Sequence, residues 1–144
     1  MMYLLDTNVI SELRKGSRAN SNVVSWADSI NSKAMFISVI TVMELRMGIL
    51  NLARKDTHQS DILGSWLDNS VIPAFTERIL PVDLQIANQC ASLHIPDPRS
   101  DRDALIAATA LIYGMTVATR NIKDFHATGV RFVNPWDTAV NLLP

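Results

Sequence analysis

Short, wholly apolar runs alternate along this chain with longer stretches whose apolar residues recur at helical spacing. Apolar runs bounded by polar or turn residues read as buried strands, and a 3.6-residue recurrence reads as helix. "YLL" ahead of Asp6 is then a first strand, and "VISELRK" a helix capped by Thr7 or Asn8. "GSRANSN" is a polar loop, after which Ser21 or Asn22 caps the helix "VVSWADSIN". "AMFIS" is a second strand ending at Ser38. Helices are expected from Ile40 to about Arg54 and from Asp56 to about Asn69. "RILPV" supplies a third strand, and Asp83 starts a helix reaching roughly Leu93. "HIPDPRSDRD" is a turn-rich connection with two prolines. "ALIAATALIYG" is almost wholly apolar, which predicts a buried helix closed by Gly114. "MTVAT" is a fourth strand and "VRFVNP" a fifth at an edge.

Strands thus alternate with helices, and no strand pair carries a tight hairpin signal. That is the signature of an α/β fold with a parallel sheet covered on both faces. No internal repeat is visible, and 144 residues fit one domain, 1–144, with room for a real core. In such folds ligands collect outside the carboxyl ends of the strands. Asp6 after the first strand, Ser38 after the second, and Thr119 to Asn121 after the fourth should therefore share one end of the sheet.

Composition narrows the class. Hydrophobic residues make up 48% and charged ones 19%, with 5 glycines and 6 prolines, which excludes a disordered or low-complexity chain. No apolar run is long enough for a membrane span, and "MMYLL" lacks the basic flank of a signal peptide. Cys90 is the single cysteine, so no internal disulfide forms and a reducing cytoplasm is the expected location. A net charge of −1 argues against a broad basic surface for gripping long nucleic acid. It leaves a nuclease open, because a metal site is itself built from carboxylates.

The acidic residues carry the candidate chemistry. Asp6 fits either a helix cap, where it meets the helix dipole, or a metal ligand. Glu44 has Ile40, Thr41, Met47 and Gly48 as its helical neighbours, so it should point inward and needs an arginine, a proton or a cation. Asp103 opens the apolar helix above Ile106, Ala107 and Ala110, yet "SDRD" also matches a capping box, with Asp101 the more exposed alternative. Asp124 follows the fourth strand by a few residues, and Asn121 lies nearer its end. All of these map to one end of the sheet. Crowded carboxylates raise one another's pKa, divalent cations remove that conflict, and oxygen-only ligation suits Mg²⁺ or Mn²⁺. Such sites typically serve in-line displacement at a phosphodiester.

"LLDTNVISEL", "ISVITVMELRMGI", "DALIAATALIYGMTVATRNIKDF" and "FVNPW" together resemble the PIN domain family. Within it the match is to VapC-type toxin ribonucleases of bacterial toxin–antitoxin pairs, in their FitB-like subgroup, from residue 2 to about 137. The resemblance implies a three-layer α/β/α domain with a short parallel sheet of four to five strands, and Mg²⁺-dependent endoribonuclease activity, with Mn²⁺ a substitute. It puts Asp6 and Asp103 on direct metal-ligand positions and Glu44 on a second metal or the attacking water. Thr7, Asn8, Ser38 and Thr119 match small polar positions that hold the acids. Asn121 stands where some members have Asp, with Asp124 three residues on, so either is the fourth ligand. The resemblance also implies a homodimer and an antitoxin whose C-terminal segment lies across the acids, with DNA bound only through the antitoxin.

His58, His94 and His126 lack metal-ligand spacing and read as surface residues. Trp26, Trp66 and Trp136 read as packing residues or interface anchors rather than base-stacking platforms. Met35, Met43 and Met47 read as core or interface filler. Arg46, Arg99, Arg102 and Arg120 fit either RNA phosphates or the local acids. Ile62, Leu63, Trp66 and Leu67 form a patch that one small domain leaves partly exposed. The competing function is a catalytically weak protein acting as a binding partner within a DNA-bound repressor complex. Inward carboxylates without a cation would serve that role poorly.

Overall fold

Leu4 and Leu5 point to opposite faces of the first strand, and each seeds a separate core. This alternation dictates a sheet buried on both sides. The computed structural model describes residues 1–137. The expected domain's last residues, 138–144, lie outside the described residues.

The strands are β1 (Tyr3–Leu5), β2 (Met35–Ser38), β3 (Ile79–Leu80), β4 (Thr116–Ala118) and β5 (Phe132–Val133). They form one parallel sheet in the order β3-β2-β1-β4-β5. The longer helices are α1 (Thr7–Leu13), α2 (Ser21–Ser29), α3 (Val39–Leu52), α4 (Thr57–Trp66), α6 (Leu84–Leu93) and α7 (Asp101–Tyr113), with a single turn α5 (Ile72–Ala74) after α4. Leu5, Val9, Val23, Trp26, Ile37 and Leu45 build the core under α1 to α4. Leu4, Ile86, Ile106, Ala107, Val117 and Phe125 build the core under α6 and α7. The three-layer α/β/α expectation holds, with five strands.

Strand order runs outward from β1 through β2 to β3, then resumes on the other side with β4. The switch point therefore lies between β1 and β4, where parallel α/β sheets open a crevice at their carboxyl ends. Because α7 feeds β4 from the opposite direction, its first turn also lies at that end.

The caps differ from expectation in a consistent way. Asp6 caps α1, meeting the cap reading given for it while displacing Thr7 and Asn8, and Asn20 caps α2, in place of Ser21 or Asn22. In each case the cap is the last extended residue, since the cap side chain must reach forward to a free N–H. Ser38 caps α3, its hydroxyl accepting the Ile40 N–H at 2.9 Å in a fully buried setting. The segment expected as a helix to Asn69 loosens into a wider turn over Leu67–Val71, which carries Leu67 into the core. Leu67 thus drops out of the expected surface patch, whereas Ile62 stays exposed. Gly114 closes α7 in the left-handed region, at φ 67°.

Ser38→Ala should leave a buried N–H without its acceptor and destabilise the protein by about 1–2 kcal/mol, read by urea denaturation.

Candidate active site

Asp6 is held at the switch point by backbone and neighbours together. Its own N–H donates to the Ala118 carbonyl of β4 at 2.9 Å. Its Oδ1 accepts the Thr7 N–H at 2.9 Å, and its Oδ2 accepts the Thr119 hydroxyl at 2.8 Å and the Asn8 amide at 3.2 Å. Thr119 also accepts the Asn121 N–H at 3.0 Å, and the Asn8 side chain accepts the Arg120 N–H at 3.1 Å. The loop after β4 is thereby tied to β1. Burial raises the Asp6 carboxyl above its ordinary range, the bonds from Thr119 and Thr7 oppose that rise, and the charge of Glu44 adds to it.

Glu44 sits on α3, where the Thr7 hydroxyl donates to its Oε1 at 2.7 Å and Arg102 Nη1 lies 3.7 Å from its Oε2. The inward stripe expected for α3 holds at Ile40 and Thr41, which are buried, but fails at Met47 and Gly48, which are exposed. The buried face of α3 runs through Thr41, Leu45 and Ile49 instead, so Glu44 is half-buried at its rim. Ser38 acts on it indirectly, by fixing where α3 begins.

Asp103 satisfies both of its readings. Its N–H reaches the Ser100 hydroxyl at 3.5 Å as the cap requires, and its carboxylate still lines the pocket with Asp6 and Glu44. Burial, then the charges of Asp6, Asp124 and Glu44, push its pKa up to about 6, with Arg102 pulling the other way. Asp101 is exposed and lies 3.4 Å from His94.

The fourth acidic position divides. Asn121 lines the pocket. Asp124, on a short 3₁₀ turn (Ile122–Phe125), does not line it and acts on Asp103 through charge. The pocket encloses about 400 Å³ and is walled by Asp6, Glu44, Asp103, Arg120, Asn121 and Trp136, among others. Its ligating side chains are carboxylate and amide oxygens, the set a hard divalent cation prefers. Among the described residues, no three His, Cys, Asp or Glu side chains already close on one point. Asp6 and Glu44 are instead held on the walls by their own hydrogen-bond donors.

Several features escaped the sequence reading. Glu12, buried on α1, binds Lys15 Nζ at 2.9 Å and accepts the Asn20 N–H at 2.8 Å. The Lys15 bond, then the Asn20 N–H, hold its carboxyl below the usual range against the opposing effect of burial. Asn8, Glu12 and Lys15 form one helical stripe, a spacing that would have revealed this wall. Trp26 is buried and packs edge-on against Tyr3 with centroids 5.2 Å apart, as a packing residue should. Trp136 also packs against the core under α1 to α4, as expected, and in addition lines the acidic pocket. His94 is half-buried rather than on the surface, and its Nδ1 accepts the Arg99 N–H. Arg46 pairs with Asp68, and Arg99 donates to the carbonyls of Leu93 and His126.

The fold and site define a doubly wound α/β protein whose switch-point pocket is lined by acids. A PIN domain profile matches residues 3–130, and this chain belongs to that family. It is 38% identical over 143 residues to the VapC ribonuclease Y4jK of Sinorhizobium fredii, covering 96% of this chain and 100% of that protein. It is 39% identical over 140 residues to Toxin FitB of Neisseria gonorrhoeae, covering 94% and 99%. The solved structure of FitAB bound to an IR36 DNA fragment superposes with a TM-score of 0.84 at 38% identity, covering 94% of this chain and 96% of that one. Structural neighbours include toxin–antitoxin complexes, some bound to DNA. Among the described residues no helix is long and apolar enough to cross a membrane.

The raised Asp103 carboxyl has a definite consequence for stability. Its pKa in the fold, about 6, exceeds the ordinary 3.8, so ionising it disfavours the folded state. Stability from this group falls as pH rises from about 4 to about 6 and is fully lost above that window. In EDTA, Asp103→Asn should raise Tm at about pH 7.5, and its advantage over the parent should shrink toward about pH 5. Equal melting curves at both pH values would contradict this.

Proposed function

We propose that this chain acts as one domain, the toxin of a type II toxin–antitoxin pair, and is a Mg²⁺-dependent endoribonuclease cleaving RNA phosphodiester bonds. The observation carrying the reading is one pocket whose walls hold Asp6, Glu44 and Asp103 together, with both aspartates raised by burial and by neighbouring negative charge. The names of the relatives, a VapC ribonuclease and a FitB toxin, point the same way. A binding-only role gives those crowded acids no task.

Asp6 and Asp103 would hold the cation directly, and Glu44 would hold a second one or orient the attacking water. A bound Mg²⁺, or Mn²⁺ in its place, offsets the carboxylate repulsion and stabilises charge developing on the phosphate. Thr7, Asn8 and Thr119 fix the Asp6 and Glu44 oxygens, so little reorganisation is needed on binding. Asn121 supplies a neutral oxygen at the pocket, and Asp124 acts on Asp103 through its negative charge. The partners are an antitoxin, through which any DNA is bound, and a second copy of the chain. The location is the cytoplasm.

Asp6→Asn should abolish Mg²⁺-dependent cleavage of bulk tRNA and rRNA with an unchanged circular dichroism spectrum, and excess EDTA should silence the parent. Asp124→Ala should lower activity only partially, because it reaches the site through charge alone. Full cleavage by Asp6→Asn, or in EDTA, would defeat the mechanism.

Met43, Met47, Leu50 and Ile62 are exposed along α3 and α4, a face suited to self-association. Light scattering of the isolated protein should return twice the chain mass. A strictly monomeric species at micromolar concentration would remove the dimer.

A further inference from the structure

The acidic pocket is chemically lopsided. On the α3 and α7 side its cation, Arg102, lies against Glu44. On the opposite side Arg120 stands exposed, with its guanidinium carbon over the Trp136 ring at 5.4 Å from the centroid. Arg120 enters none of the ion pairs found among the described residues.

Trp136 is held in this position by its backbone. Its N–H donates to Asn134 Oδ1 at 3.0 Å, and its carbonyl accepts the Asn22 amide at 2.9 Å. Arg120 is placed just as firmly, since its N–H donates to Asn8, whose amide donates to Asp6. One residue thus sets the spacing between the Arg120–Trp136 pair and the first carboxylate. Part of Trp136 packs against the core under α1 to α4, and the rest of it lines the polar pocket with Arg120 over its ring.

A guanidinium over an indole presents a flat, delocalised cation that favours π-faces, and single-stranded RNA is read largely by stacking of splayed bases on such groups. We propose that Arg120 and Trp136 form a base-stacking subsite, which receives the nucleobase of single-stranded RNA next to the phosphate at Asp6 and Asp103. This rests on the ribonuclease reading above and names the part of the substrate recognised. Stacking of this kind tolerates any base, so the subsite selects unpaired over duplex RNA more than it selects sequence.

The test measures binding apart from cleavage. In an Asp6→Asn background, a fluorescein-labelled single-stranded RNA of mixed sequence is titrated by anisotropy against Trp136→Leu, Trp136→Phe, Arg120→Lys and the unaltered pair. Trp136→Leu should weaken binding about tenfold, and Arg120→Lys, exposed and keeping the charge, should also weaken it several-fold. Trp136→Phe should retain most of the affinity, and duplex RNA should bind all forms alike. Circular dichroism checks that Trp136→Leu remains folded. If Arg120→Lys binds as tightly as the parent, Arg120 serves as a point charge for phosphate and the stacking proposal is overturned. Unchanged binding by folded Trp136→Leu overturns it equally. Were the otherwise unaltered protein inactive on RNA in Mg²⁺, the ribonuclease reading would fall first, a result separable from either of these.

Discussion

Asp6, Glu44 and Asp103 repel one another across a pocket that water only partly screens, and the surrounding structure is arranged around holding them there. Burial and mutual charge raise both aspartates, Asp103 to about 6. Against this stand the hydroxyls of Thr7 and Thr119, the amide of Asn8 and the guanidinium of Arg102. Each donor stabilises a charged oxygen at a fixed place. Of these donors Arg102 alone is cationic, and one cation against three carboxylates leaves an arrangement that suits a divalent ion.

The same donors join parts of the chain far apart in sequence. Thr119 and Asn8 tie the end of β4 to the end of β1, and Thr7 ties α1 to α3. The site is therefore also a set of cross-links at the point where strand order reverses and the sheet has no crossover helix to cover it. Positioning of the acids and closure of the sheet end draw on the same hydrogen bonds.

Around this acidic centre the charges differ by side. Arg102 lies beside Glu44 on one side, while Lys15, held by buried Glu12, and Arg120, set over Trp136, line the pocket. A chain with net charge −1 can thus approach a polyanion through a small local group of cations instead of a basic surface.

Sequence by itself determined the element order, the parallel sheet and the identity of the crowded acids. Those follow from local periodicity and from the rule that strand ends gather ligands, both of which act over a few residues. The cap readings were nearly right, because a cap depends on the residue just before the helix. Only the tertiary structure decided how deep each group lies. Met47 and Gly48 share the stripe of Glu44 yet are exposed, because the face of α3 that packs on the core is the one carrying Thr41, Leu45 and Ile49. Leu67 is buried because a widened turn rotates it inward. Asn121 lines the pocket and Asp124 does not, although only three residues separate them, because the path of the chain after β4 and not the spacing decides which one reaches it. Trp136 joined the site from the far end of the chain, where no local pattern could announce that Asn22 and Asn134 would turn it toward Arg120. Periodicity records which residues are apolar; the crossing of elements records which of them meet.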